Sequence, residues 1–321
     1  MEIKQLKDQN IKDVVKLWNK EVVGKTIYKP LTEEIFKIKF INTANSYNVV
    51  LMNKDEVIGF GNSVFKDQEP TSSGFITCVV VKAAYQRQGY GSKILVALEE
   101  YLKKNHKTYI RQLFLNPILL EWYIPNTNNH DHPGAPAIEY NSPFYLFLLA
   151  NGYNVSGSQQ DVFYLNLLNY EVPEKIKQMN SSNEEKGYYI KTYDKDKHQG
   201  FKKLFEALRN PTWHQVVKNN LAKDKPNKML VVVKNDLILG WTGPLYTTES
   251  KRGYFGGIGI HPDAQGLGLG STLFSELINQ SKLNGAVFMS LFTGSENPAR
   301  KIYLKAGFKI VKSFAILRKE L

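Results

Sequence analysis

The sequence of 321 residues holds a single cysteine, Cys78, which excludes an internal disulfide framework and any multi-cysteine zinc ribbon. No window approaches 18 uninterrupted apolar residues, so no stretch is predicted to span a membrane. The opening residues, MEIKQLKDQNIKDVVKLWNK, contain no apolar run of signal-peptide type, and the expectation is a reduced, cytoplasmic protein. Blocks of five like charges are absent, so no charged tail is predicted. Acidic residues are in deficit, with 42 Lys+Arg against 30 Asp+Glu and a net charge of +12. Residues 1–169 carry 18 basic and 16 acidic side chains, and residues 170–321 carry 24 and 14, so the excess divides into +2 and +10. A basic half of this kind suits an anionic small molecule or an acidic partner. Its lysines are dispersed, which makes nucleic acid the weaker reading.

What the sequence does contain is a repeat. Hydrophobic residues make up 42%, enough for two cores, and the length suits two domains. ITCVVVKAAYQRQGYGSKILVALEEYLKK at 76–104 and GGIGIHPDAQGLGLGSTLFSELINQSK at 256–282 share a β-branched run, a Gly-rich turn and an amphipathic helix. Gly89 and Gly268 are equivalent, an offset of 179 residues (268 − 89). Ile94, Leu95, Leu98, Tyr101 and Leu102 form one helical face; Leu273, Phe274, Leu277 and Ile278 form its counterpart. Each copy then presents a short helix stopped by glycine, SPFYLFLLANGY ending at Gly152-Tyr153 and NPARKIYLKAGF ending at Gly307-Phe308. The spacing between the two glycine landmarks is 63 residues in the first copy and 39 in the second, so the first carries about 24 extra residues, placed at 116–141. The predicted organisation is a first domain at 1–169 with that insertion, a polar linker at 170–187 with a short possible helix, and a second domain at 188–321. The order of elements in each half predicts an α/β (α+β) fold, a mixed central sheet flanked by helices.

A glycine turn between a strand and a helix offers unpaired backbone N–H groups to an anion. The pattern GxxxxGK[ST] is absent from both loops, and GxGxxG fails because Ile94 and Leu273 stand where its third glycine belongs. Both loops instead read Q-x-x-G-x-G, through Gln86, Gly89 and Gly91 in one copy and Gln265, Gly268 and Gly270 in the other. In this pattern, and in Asn297, Ala299, Tyr303, Gly307 and Phe308, the sequence resembles the GNAT superfamily of N-acetyltransferases in a tandem form. That layout is similar to mycothiol synthase, where catalysis is assigned to the C-terminal copy.

The resemblance implies acetyl-CoA as cofactor and a small-molecule or peptide amine as acceptor, with attack by the amine on the thioester. It implies pantetheine pairing to Val79, Val80 and Val81, or to Ile258, Gly259 and Ile260. Pyrophosphate would lie on the loop amides of Arg87, Gln88, Gly89, Tyr90, Gly91 and Ser92, or of Gly266, Leu267, Gly268, Leu269, Gly270 and Ser271. The family's acid is a tyrosine four residues before the Gly-aromatic pair, which here is Tyr303. The first copy has Leu148 at that place and is expected to be degenerate. No acidic residue occurs in Phe75–Val81 or Phe255–Ile260, leaving Glu249 and His261 as weak candidates for the base. The alternative is an inactive CoA-binding, sensor or polyanion-binding module. His130, Asp131 and His132 form a poor metal set, and none is expected. Trp122, Tyr123, Tyr140, Trp213, His214 and Trp241 are expected mainly to pack, and Cys78 to be a small buried hydrophobe.

Overall fold

The computed structural model describes residues 1–66 and 73–321. The first repeat opens with β1 (Glu2–Gln5), α1 (Ile11–Glu21) and a short α2 (Glu33–Phe36). Helix α1 buries Ile11, Val14, Val15, Leu17 and Trp18 along one face, as amphipathic spacing requires. Strands β2 (Ser46–Asn53), β3 (Glu56–Phe65) and β4 (Gly74–Val81) follow as antiparallel neighbours. A glycine turn leads into α3 (Tyr90–Lys104), which buries Ile94, Leu95, Leu98 and Leu102, and β5 (Tyr109–Gln112) returns parallel to β4. The insertion forms three two-residue strands, β6 (Trp122–Tyr123), β7 (Asp131–His132) and β8 (Ile138–Glu139). It is pinned by fully buried Trp122 and by Lys29, which pairs with Asp131 at 2.5 Å and Glu121 at 3.1 Å. Helix α4 (Pro143–Ala150) and β9 (Asn154–Val155) complete this stretch.

The first repeat ends with β10 (Gln160–Asn166), after which come α5 (Glu174–Glu185), β11 (Tyr189–Thr192), α6 (Phe201–Ala207) and α7 (Pro211–Leu221). Next come β12 (Leu230–Lys234), β13 (Leu237–Thr242), β14 (Arg252–Gly253), β15 (Ile258–Ile260) and α8 (Leu269–Leu283). The chain ends with β16 (Phe288–Gly294), α9 (Arg300–Lys305), β17 (Lys309–Ala315) and β18 (Leu317–Glu320). Alternation in LVVVK sorts side chains to two faces. Leu230 and Val232 join the core with Leu273, Phe274 and Leu277, whereas Val231 and Val233 pack with Leu204, Phe205, Val217 and Trp241.

The boundaries read from the sequence differ from the compact units of the structure. One unit comprises residues 1–161 together with 312–321, and the other comprises 162–311. Strand β18, the end of the second copy, pairs antiparallel with β5 from Leu317↔Gln112 to Glu320↔Tyr109, so the first unit's sheet runs β1-β2-β3-β4-β5-β18-β9. Strand β10, the end of the first copy, lies next to β16 in the second unit. The two strands hold equivalent places in the repeat, so each unit is closed by the last strand of the other copy. Nor is 170–187 a bare connector, since α5 occupies most of it and belongs to the second unit. That unit's strands also fall into two sheets, β11-β12-β13-β15 and one containing β14-β16-β10-β17, where a single mixed sheet was expected.

Leu317 is fully buried, and Lys319 Nζ lies 2.8 Å from both carboxylate oxygens of Glu99 on α3. Leu317→Asp is therefore expected to cost about 3 kcal/mol or more, because it removes apolar burial and leaves a carboxylate without a partner. Hydrogen exchange checks where the loss falls: amides of residues 109–112 should lose protection while those of 288–294 keep theirs.

Candidate active site

The site begins where two parallel strands part. In the first copy β4 and β5 are in register at one place, Gly74↔Ile110. In the second copy β14 and β16 are in register at Arg252↔Phe288 and Gly253↔Met289, and β15 pairs with β13 alone. Adding 179 to Gly74 and Ile110 gives Gly253 and Met289, so both copies part at the same point of the repeat. Just beyond it the first copy bulges, with Asn62↔Cys78 followed by Ser63↔Ile76 and Thr77 left out of the pairing. At the equivalent point the second copy gives up strand geometry over residues 254–257. The parting leaves the far edges of Val79–Val81 and of Ile258–Ile260 without a ladder partner among the described strands. Free strand amides are the groups that a pantetheine chain can pair with.

The turn after each strand is built alike. Gln86 Nε2 donates to Val81 O at 2.8 Å, and Gln265 Nε2 donates to Ile260 O at 3.1 Å. These two glutamines, expected among the cofactor's contacts, fasten the loop to the last strand carbonyl through their side chains. Backbone φ is positive at Arg87 and Gly89, and again at Gly266 and Gly268, so the two loops trace the same path. Gly89 and Gly268 are the N-caps of α3 and α8, and neither cap is satisfied by a side chain. The loop amides at the positive helix end thus remain available to an anion, which fits a pyrophosphate. The register places Gln88, Tyr90, Gly91 and Ser92 in one cradle, and Leu267, Leu269, Gly270 and Ser271 in the other.

Two residues of the second loop's surroundings escaped the sequence reading because they lie in the supposed linker. Asn183 of α5, buried to 2% exposure, donates from Nδ2 to Leu267 O at 3.1 Å. A Cβ added at Gly268 would run into the Met179 side chain of the same helix. Helix α5 therefore clasps the flank of this loop. A buried asparagine in a polar segment was the available signal.

Tyr303 lies on α9 at 4% exposure, its ring 5.0 Å from Phe274, 5.5 Å from Phe163 and 6.0 Å from Phe255. Burial pushes its phenol up to about 12, so the hydroxyl holds its proton throughout the neutral range. Asn297 has a local role: its Nδ2 donates to Thr293 Oγ1 at 2.8 Å and its Oδ1 accepts from the Ala299 N–H at 2.9 Å. That fixes the entry to α9. His261 is likewise a turn residue, its Nδ1 accepting from the Asp263 N–H at 3.3 Å. Trp213 of α7 packs on the backbone of Gly257 and Gly259, covering one face of β15. Trp241 is fully buried, His214 stacks on Phe205, and Cys78 is buried with its thiol pushed far up by desolvation.

The two copies differ at the parting itself. In the first, the insertion folds into the gap: Ile76 and Thr77 of β4, Gln112 of β5 and Ile118, Leu120 and Ala137 of the insertion line one cavity of about 40 Å³. Asn116 Nδ2 bridges to Thr77 Oγ1 at 3.3 Å. Such a space holds a few waters at most. The second copy has no counterpart of the insertion.

Comparison with known proteins agrees with this geometry. The model of the acetyltransferase (GNAT) family matches residues 11–123 and 188–308, one match in each repeat, and the chain belongs to that family. No curated protein matches the sequence. Among solved structures, the chain is similar to a GCN5-related N-acetyltransferase from Sphaerobacter thermophilus, with 16% identity over 99% of this chain and 95% of that one, TM-score 0.61. It is similar to a tandem GNAT protein from the clavulanic acid biosynthesis pathway, with 14% identity over 99% and 98%, TM-score 0.58. It is also similar to the GCN5-related glucosamine N-acetyltransferase region of a fungal multi-domain β-N-acetylglucosaminidase, with 15% identity and TM-score 0.71. There it covers 99% of this chain and spans 38% of the other. At these identities the likeness establishes the tandem fold.

Position 266 offers a clean test of the second cradle. Gly266 has no neighbour within 4 Å of an added Cβ, and Arg87 already occupies the equivalent place in the first loop with φ 61°. Gly266→Arg is expected to keep acetyl-CoA affinity within about threefold or raise it. Gly266→Glu sets a like charge against pyrophosphate and should weaken binding about tenfold or more, roughly 1.4 kcal/mol. Titration calorimetry on both variants checks the contrast.

Proposed function

We propose that the chain is an acetyl-CoA-dependent N-acetyltransferase that acetylates a primary amine in its second repeat. One observation carries this choice of copy: the second repeat alone combines a parting of strands that no insertion enters with a tyrosine at the acid position. Acetyl-CoA supplies an activated acyl thioester when bound. The free edge of Ile258, Gly259 and Ile260 would hold its amide-bearing arm, and the loop from Gly266 to Ser271 its pyrophosphate. Trp213 walls the opposite face of β15, where an acceptor amine would be confined. Backbone N–H groups released by the break at residues 254–257 would stabilise the acyl oxygen as charge develops there. Tyr303 would hand its proton to the departing sulfur, a role that its raised pKa keeps it loaded for. No carboxylate lies on β15, so the acceptor's proton leaves through solvent. The likeness to a glucosamine N-acetyltransferase region adds an amino sugar to the amines worth testing, beside polyamines, aminoglycosides, lysine and peptide N-termini.

The second reading is a CoA-binding module without turnover. It is favoured by the aromatic packing of Tyr303 and the turn-forming role of Asn297, both of which serve structure. Tyr303→Phe separates the two, since it keeps the ring and removes only the hydroxyl. Turnover measured by thiol release should fall about 100-fold with little change in acetyl-CoA affinity, the usual contribution of a general acid. No thiol release with any amine would decide for the module, whereas unchanged turnover would keep the enzyme and remove Tyr303 from the acid role.

The pH profile follows from the same hydroxyl. A pKa raised to about 12 leaves Tyr303 protonated below roughly pH 11, so acid loss adds no falling limb in the working range. The rate should rise with pH as the acceptor amine loses its proton and then level off. A fall centred near pH 10, the ordinary tyrosine value, would show that the acid is not a phenol held protonated by burial.

A further inference from the structure

Helix α5 roofs a hollow of about 510 Å³ in the second unit, lined also by β11, β12 and α8 and open to solvent. That volume falls within the range of roughly 300–1,000 Å³ typical of small-molecule sites. Val172, Ile176, Ile190 and Leu230 give it an apolar wall, with Leu230 and Ile176 buried beside buried Thr272. Its rim is cationic, carrying exposed Lys177 and Lys191. Lys177 is paired only loosely, with exposed Glu174 at 3.3 Å, and Lys191 lies over the Tyr189 ring at 5.3 Å. The one acidic lining residue, Glu276, is already engaged, accepting from Gln280 Nε2 at 2.8 Å and Asn279 Nδ2 at 3.4 Å.

The first copy shows that the fold does not require such a space. Position 280 corresponds to Tyr101 (280 − 179), whose ring stacks on Tyr47 of β2 at 4.1 Å. In the second copy that position is Gln280, which lines the hollow. The surrounding stretch, residues 170–321, also carries most of the excess positive charge, 24 basic against 14 acidic side chains.

We propose that this hollow is a binding site for an amphipathic carboxylic acid, its apolar chain lying toward Leu230 and Ile176 and its carboxylate at the rim of Lys177 and Lys191. The apolar wall selects a chain of several carbons, and the lysines select the anion over an alcohol or amine of equal length. The site is separate from the strand edge and loop assigned to acetyl-CoA, and the inference stands whether or not the chain turns over.

Calorimetry on the full chain tests it, with decanoate below its micellar concentration as the probe and decanol and decylamine as controls. Decanoate should bind saturably at one per chain and at least tenfold more tightly than either control. Gln280→Tyr, which grafts the side chain of the first copy, should weaken decanoate at least tenfold while leaving acetyl-CoA affinity unchanged. Ser181→Trp, on the roof, should do the same and serves if the graft fails to fold. Lys177→Glu with Lys191→Glu should remove the preference for decanoate over decanol. Decylamine binding more tightly than decanoate would overturn the assigned ligand class. Absence of decanoate binding at millimolar concentration, or binding that survives both Gln280→Tyr and Ser181→Trp, would overturn the site.

Discussion

The rest of this protein depends on a pair of parallel strands that stop pairing almost as soon as they meet. Gly74↔Ile110 and Gly253↔Met289 are the last shared registers, and beyond them each copy leaves backbone amides with no partner in the sheet. Unpaired strand edges away from water are costly, so the fold must offer them to a ligand, to solvent or to another part of the chain. The two copies resolve this differently. The first closes the gap with its own insertion, through Ile118, Leu120, Ala137 and the Asn116–Thr77 contact. The second leaves Ile258–Ile260 at the end of its sheet, followed by a glutamine-braced loop and an uncapped helix.

The same parting explains why so few side chains need to be chemically active. Most of the inferred recognition is made by main-chain groups, which the strand, the bulge and the glycine turn put in place. Side chains serve mainly to hold that backbone: Gln86 and Gln265 tie each loop to its strand, Asn183 and Met179 support the second loop from α5, and Asn297 sets the start of α9. Tyr303 is the exception, as the one buried phenol placed at the acid position.

Much of this was legible in the sequence, for physical reasons. The glycine turns and the amphipathic faces of α3 and α8 are encoded within 30 residues each, so local pattern suffices to find them. The common offset of 179 residues carries through to the strand registers, which no local pattern states. What could not be read was which sheet the last strands join. VFYLN and ILRKE end equivalent copies, and either would satisfy either sheet by hydrophobicity alone. Helix α5 was legible only as a short possible helix within a linker, because it buries only Ile176 and Asn183 and so shows hardly any apolar stripe. The bracing parts that Gln86, Gln265 and Asn297 play could not be read, because a polar residue that braces a turn looks in sequence like one that grips a ligand.

The exchange of last strands bears on how the chain could be divided. A cut between the repeats would leave β5 without β18 and β16 without β10, so each half would keep an open sheet edge in place of the strand that the other copy supplies. The repeats are therefore not separable modules, although the family model matches each one by itself.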